Sequence, residues 1–96
     1  MTSNTTRLHA TVEGRVQGVG FRYFVVEVAE LLGVYGWVRN RWDESVEVVA
    51  EGERGVLEQL LVALARGPRS AHVSEVKVDW ENPTGEFRSF RITQTD

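Results

Sequence analysis

The sequence predicts one α+β domain, and three observations support that prediction. Residues 21–32 and 54–66 repeat apolar side chains at helical spacing. Strand-like alternation of apolar and polar residues comes before, between and after these two stretches. The 96 residues, of which 42% are hydrophobic, suffice for one core and leave no room for a second domain.

The predicted strands are five short stretches in which one face is apolar. They cover residues 7–13, 35–41 and 45–51, with a fourth strand through Val76, Val78 and Trp80 and a fifth containing Phe90 and Ile92. The turn Trp42-Asp43-Glu44 joins the second and third strands, which predicts a hairpin. We expect the three tryptophans to be core or sheet-face residues.

The two predicted helices are amphipathic, and each ends at a glycine. Gly33 stops the first helix, and Gly67-Pro68 stops the second. Their inward-facing residues are Phe21, Phe24, Val25, Val28, Leu32, Val56, Leu57, Leu60 and Leu64.

The order strand, helix, hairpin, helix, strand, strand restricts the topology, because crossover connections are right-handed. It predicts a ferredoxin-like two-layer sandwich, in which two helices cover one face of an antiparallel sheet. The place of the last strand in the sheet stays open. Residues 1–6 are polar and predict a flexible N-terminal tail, which leaves residues 7–96 as the domain.

Composition excludes several classes of function. A formal net charge of -3 argues against a general role at nucleic acids or membrane surfaces. Without cysteine there is no disulfide framework, thiolate nucleophile or cysteine zinc site. His9 and His72 are too few and too far apart to indicate a metal cluster. No apolar stretch suits a membrane span or a signal peptide, so we expect a cytoplasmic location.

The most informative stretch is residues 12–22, Val-Glu-Gly-Arg-Val-Gln-Gly-Val-Gly-Phe-Arg. Three glycines between a strand and a helix allow backbone N–H groups to point into one concavity, beside the positive end of the helix dipole. Arg22 follows in the first helical turn, and its planar guanidinium suits a phosphoryl group. From these residues alone, an ordinary tight turn with a surface arginine is an equal alternative, because the glycine spacing fits neither a Walker loop nor a dinucleotide fingerprint.

Asn40 is the second candidate, near the end of a predicted strand. It shares parity with Gly36 and Val38, so its side chain should lie on the helix-covered face and point toward the glycine loop and Arg22. By itself, an asparagine before a hairpin is more often a turn former. Arg15, Arg39 and Arg41 are further sources of positive potential.

The stretch Gly14–Arg22 closely resembles the signature of the acylphosphatase family. A second stretch, Gly36-Trp37-Val38-Arg39-Asn40 followed by Val46 and Gly52, resembles the other signature of that family. The resemblance covers nearly everything after residue 6. One position departs from it, because Glu44 stands where the family usually has a glycine, four residues after the asparagine.

The resemblance implies a ferredoxin-like fold and hydrolysis of small acyl phosphates, without a metal or other cofactor. Inorganic phosphate would be product and inhibitor, with no nucleic-acid or membrane partner. Arg22 corresponds to the phosphate-binding arginine and Asn40 to the asparagine that orients the attacking water. The resemblance assigns the phosphate cradle to backbone N–H groups of Arg15, Val16, Gln17, Gly18, Val19 and Gly20.

Two alternatives remain at this point. Residues 19–25 have a loose likeness to a glycine-aromatic RNA-binding motif, although that motif belongs on a central strand and these aromatics fit a helix. Hydrogenase-maturation carbamoyltransferases also contain a domain that resembles acylphosphatases. This chain has no cysteine-rich segment to accompany such a domain.

Overall fold

The structure is a computed structural model that describes residues 4–96. Within that range it contains β1 (Thr5–Arg15), α1 (Phe21–Leu32), β2 (Tyr35–Asn40), β3 (Val46–Glu53), α2 (Arg54–Arg66), β4 (His72–Glu81) and β5 (Phe90–Ile92). Both helices have the predicted bounds, because helical spacing and a terminal glycine are local signals. Neither helix of the described range is long and apolar enough to span a membrane.

The five strands form one mixed sheet in the order β4-β1-β3-β2-β5. β1 lies between β4 and β3 and pairs antiparallel with both of them. β2 pairs antiparallel with β3 but parallel with β5, so the prediction of a wholly antiparallel sheet is wrong for the last strand. The reason is the connection over residues 82–89, which leads from β4 at one edge to the other edge. It brings Phe90 beside Gly36, so that β5 runs in the same direction as β2.

One apolar cluster joins the sheet to both helices. Alternate residues of the strands contribute Leu8, Ala10, Val12, Val38, Val46, Val48 and Ala50, and the helices contribute Phe21, Val25, Ala29, Leu57, Leu60 and Leu64. Full burial of a Val, Leu or Phe side chain stabilises a fold by about 1.5–3 kcal/mol. This cluster therefore holds the start of α1 firmly against the sheet, which fixes the loop that precedes it.

β1 begins earlier than predicted. Thr5 and Thr6, which the sequence placed in a flexible tail, pair with Glu53 and Gly52. The extra length follows from β3, which continues to Glu53 and offers backbone partners to these two residues. The rest of the predicted tail includes residues 1–3, which lie outside the described residues.

In the turn between β2 and β3, the position where this chain departs from the family pattern has a left-handed backbone conformation. Glu44 has a φ of 74°, and no other non-glycine residue within 4–96 has a positive φ. Its N–H donates to the carbonyl of Arg41 at 3.1 Å. The carboxylate of Asp43 accepts hydrogen bonds from the hydroxyl of Ser45 at 2.6 Å and from its N–H at 3.0 Å, and these bonds lower the pKa of Asp43. The turn thus has the backbone shape that suits glycine, with glutamate in its place.

We expect Glu44→Gly to raise the free energy of unfolding by about 1 kcal/mol. A non-glycine residue held at positive φ costs on the order of 1–3 kcal/mol, while the greater freedom of glycine in the unfolded chain offsets about 0.4–1 kcal/mol of that. For a domain of this size the thermal midpoint should rise by about 4–8 °C per kcal/mol. The matched control is Glu86→Gly, at an exposed loop residue without positive φ, which should lower the midpoint. A lower midpoint for both variants would show that Glu44 is not strained.

Candidate active site

The loop between β1 and α1 is buried near its start, at Val16, and exposed at Gly18 and Gly20. Val16 is only 1% exposed and belongs to the apolar cluster. Gly18 and Gly20 have φ values of 72° and 78°, a left-handed conformation that glycine adopts without steric cost. Gly20 is the N-cap of α1, and no side chain of the described residues caps the helix there. The first N–H groups of α1 are therefore without a side-chain acceptor.

A cavity of about 220 Å³ lies where this loop meets the end of β2. It is lined by Val16, Gly18, Gly20, Phe21, Arg22, Tyr23 and Asn40. Since a water molecule takes about 30 Å³ of liquid, the cavity has room for a phosphoryl group and a water. The structure thus brings Arg22 and Asn40 to one place, although they lie on different elements.

The other predicted loop residues have different surroundings. Arg15 is exposed at the end of β1, and Val19 packs against the apolar cluster. The side chain of Gln17 extends to the β2–β3 turn, where its Nε2 donates to the carbonyls of Arg41 at 2.8 Å and Ser45 at 2.9 Å. Three of the six loop residues line the cavity, and the roles assigned to their N–H groups stay predictions.

Arg22 differs from the other half-buried arginines. Four arginines within residues 4–96 are half-buried, and three of these contact a carboxylate, namely Arg7–Glu51 at 3.4 Å, Arg39–Glu47 at 2.7 Å and Arg41–Glu47 at 3.5 Å. The guanidinium of Arg22 makes no hydrogen bond or ion pair with any residue of that range. A partly buried charge without a partner is unfavourable, and the positive end of a helix dipole adds to the cost. The cavity is therefore electrostatically suited to an anion.

Arg39 and Arg41, which the sequence suggested as further sources of positive potential, both contact carboxylates. Both contact Glu47, which is 6% exposed and also lies 2.6 Å from Nε2 of His9. Burial opposes ionisation of Glu47, but the hydrogen bonds from His9 and Arg39 outweigh it and lower the pKa of that carboxyl. Glu47 therefore stays ionised and offsets part of the charge of Arg39 and Arg41, and Arg39 also lies 3.2 Å from a carboxylate oxygen of Asp96.

A second cavity, of about 320 Å³, lies beside the same turn but has the opposite charge. It is lined by Glu13, Gly14, Asp43, Glu44, Ser45 and Ser74. Three carboxylates on its wall would repel a phosphoryl group, and the lowered pKa of Asp43 keeps that group ionised. Charge thus favours the smaller cavity as the anion site.

The surroundings of two aromatic residues were not anticipated. Tyr23 lines the smaller cavity while 71% exposed. Trp42 was expected to pack in the core or on the sheet, but it is 81% exposed in the turn after Asn40. The periodicity of the sequence does not predict either environment. Tyr23 lies in the first turn of α1 and Trp42 lies in the turn after β2, so the surroundings of each depend on where these elements begin and end.

Comparison with known proteins identifies the family of this chain. The sequence pattern of a protein family described as Acylphosphatase matches residues 8–92. The chain belongs to the acylphosphatase family. It is 50% identical over 93 residues to an acylphosphatase of Koribacter versatilis (strain Ellin345), covering 97% of this chain and 84% of that protein. It is therefore a hydrolase of the acylphosphatase type.

Solved structures show the same likeness. The crystal structure of acylphosphatase from Bacillus subtilis superposes with a TM-score of 0.89 at 36% identity, covering 92% of this chain and 98% of that one. Full-length HypF, in a phosphate- and nucleotide-bound form, matches with a TM-score of 0.88 at 25% identity. That match covers all of this chain but only 13% of HypF. Family and fold together support hydrolysis of acyl phosphates.

Proposed function

We propose that the chain hydrolyses the carboxyl–phosphate bond of small acyl phosphates, with the phosphoryl group bound in the cavity between the glycine loop and β2. Arg22 and the backbone N–H groups of residues 15–20 hold the phosphoryl oxygens, and Asn40 positions the attacking water. One observation carries the proposal: a half-buried arginine without a partner in the described range faces the same cavity as an asparagine. The family match supplies the substrate class.

Hydrolysis of an acyl phosphate needs few catalytic groups from the protein. The leaving group is a carboxylate whose conjugate acid has a pKa of about 4, so it departs without being protonated. Phosphoryl transfer is accelerated mainly by positioning and by stabilisation of charge. Arg22 can meet both needs, since its fork of donors binds two phosphoryl oxygens and stabilises the charge that develops as the bond breaks.

Asn40 acts on the water. Its carbonyl oxygen accepts a hydrogen bond from the water, and its NH₂ group donates to a nearby oxygen. The oxygen of the water forms the new bond to phosphorus, and the electrons of the broken phosphorus–oxygen bond leave with the carboxylate. An amide is a poor base, so a phosphate oxygen of the substrate takes the proton. The products are a carboxylate and inorganic phosphate.

We also propose the ferredoxin-like arrangement, with both helices on one face of the sheet. The shared apolar cluster supports it. Phe21 and Phe24 lie on α1 with ring centroids 6.0 Å apart, rather than on a strand as the RNA-binding motif requires. This placement favours the hydrolase over the RNA-binding alternative. The cytoplasmic location and the lack of nucleic-acid, membrane and metal partners stay predictions.

The deciding experiment is hydrolysis of benzoyl phosphate, with and without excess chelator, beside an alkyl phosphate monoester. We expect turnover of the acyl phosphate alone, unchanged by chelation, and competitive inhibition by inorganic phosphate. The monoester should react poorly, because its alkoxide leaving group needs a proton and the proposed mechanism assigns no general acid. Comparable turnover of both substrates would contradict the leaving-group argument.

Turnover at saturating substrate should be nearly independent of pH from mildly acidic to neutral. The proposed mechanism assigns no proton transfer to a histidine or carboxylate side chain, and the amide of Asn40 does not titrate. Asp43 and Glu47 near the turn have lowered pKa values, so they remain ionised throughout this range and lose their charge only at lower pH. The measurement is kcat against pH, corrected for ionisation of the substrate. An inflection near the usual histidine pKa that disappears in His9→Ala or His72→Ala would reveal a missed acid or base.

A further inference from the structure

The side chain of Gln17 joins the glycine loop to the turn after β2. Its Nε2 donates to the carbonyl oxygens of Arg41 at 2.8 Å and Ser45 at 2.9 Å. Both partners are backbone acceptors, so only the NH₂ end of the amide can face them. A side chain with a single donor, or with none, could not make both bonds.

The two carbonyls belong to the residues that close the β2–β3 turn. The N–H of Arg41 donates to the carbonyl of Ser45 at 2.9 Å, and the N–H of Glu44 donates to the carbonyl of Arg41. Arg41 directly follows Asn40, which is the last residue of β2. The bonds of Gln17 therefore tie the loop to the backbone position next to Asn40.

We propose that Gln17 is a positioning residue for the proposed hydrolysis, which sets the place of Asn40 relative to the phosphate-binding loop. The proposal rests on the proposed function. The phosphoryl group would be held by Arg22 and by backbone N–H groups, none of which needs the side chain of Gln17. Loss of that side chain should therefore disturb the attack of water and leave phosphate binding largely intact.

The first test is Gln17→Ala, with Gln17→Met as a second variant that fills the space but donates no hydrogen bond. We expect kcat to fall on the order of 10²-fold, the usual effect of misplacing a reacting group by about 1 Å. Affinity for inorganic phosphate, measured by calorimetry, should change far less. The matched control is Gln59→Ala, at an exposed glutamine on α2, which should leave kcat unchanged.

The second test uses the pH dependence of kcat to distinguish a positioning role of Gln17 from a general contribution to stability. In Gln17→Glu, the carboxylate at neutral pH faces two carbonyl oxygens and cannot donate to either. Protonation restores one donor, so kcat of this variant should rise as the pH falls, while kcat of Gln17→Ala stays low. A merely structural role would not produce that difference. Parallel pH profiles for the two variants would overturn the proposal.

The third test combines Gln17→Ala with Asn40→Ala. If Gln17 acts through Asn40, its removal should have little further effect once Asn40 is gone. Additive losses in kcat, or an equal loss of phosphate affinity in Gln17→Ala, would overturn the positioning role. A parent chain that binds phosphate but does not hydrolyse benzoyl phosphate would instead contradict the proposed function.

Discussion

Replacement of Arg22 by alanine is expected to lower kcat/KM for benzoyl phosphate by on the order of 10²–10³-fold. This is the usual cost of removing one donor that is aimed at developing charge. Affinity for inorganic phosphate should fall as well, because the same guanidinium holds the phosphoryl oxygens. Arg22→Lys should recover only part of the loss, since an ammonium lacks the planar fork.

The stability of the variant distinguishes a binding residue from a structural one. Arg22 has no partner among residues 4–96 and lies at the positive end of α1, so Arg22→Ala should melt at the same temperature as the parent chain or higher when phosphate is absent. Added phosphate should raise the midpoint of the parent much more than that of the variant. Arg69→Ala, at an exposed arginine, is the control. Near-normal kinetics for Arg22→Ala would remove the basis of the proposed site.

Asn40→Ala should separate turnover from binding. We expect kcat to fall on the order of 10²-fold or more, because the water loses the group that orients it. Phosphate affinity should change much less, since Arg22 and the loop remain. Steady-state kinetics together with calorimetry for phosphate would measure both quantities.

The fold should tolerate this substitution. Within residues 4–96 the side chain of Asn40 makes no hydrogen bond, so alanine leaves no protein group there without its partner. Asn82→Ala, at an exposed loop residue, is the matched control and should leave both kcat and affinity unchanged. If phosphate affinity fell as far as kcat, Asn40 would belong to the phosphate cradle and the assignment of roles would be wrong.

Local patterns were enough to predict much of this protein. The bounds of α1 and α2 follow from helical periodicity and terminal glycines, which are properties of neighbouring residues. That Arg22 and Asn40 line one cavity could also be predicted from the sequence. Strand parity places the side chain of Asn40 on the same face as Gly36 and Val38, and the start of the helix places Arg22 beside the glycine loop. The family pattern, with its usual glycine, singled out the position of Glu44, and the structure gives that residue a positive φ.

Contacts between distant segments could not be predicted. The place of β5 depends on how residues 82–89 reach the far edge of the sheet. Burial of Glu47 depends on His9 and Arg39, which come from two other strands. The hydrogen bonds of Gln17 to the β2–β3 turn cannot be predicted from the sequence periodicity of the glycine loop or of the turn. Each of these features arises only after the strands have assembled.

The position of β1 between β3 and β4 has a consequence for how the chain folds. β1 is synthesised first, yet its partners β3 and β4 follow much later, and Arg7 pairs with Glu81 near the other end of the chain. Such pairings form slowly, because the loop-closure entropy must be lost before the contacts form. The loop after β1 reaches the end of β2 only when β1 has joined β3. We therefore expect free phosphate to slow unfolding of the finished protein without accelerating its folding.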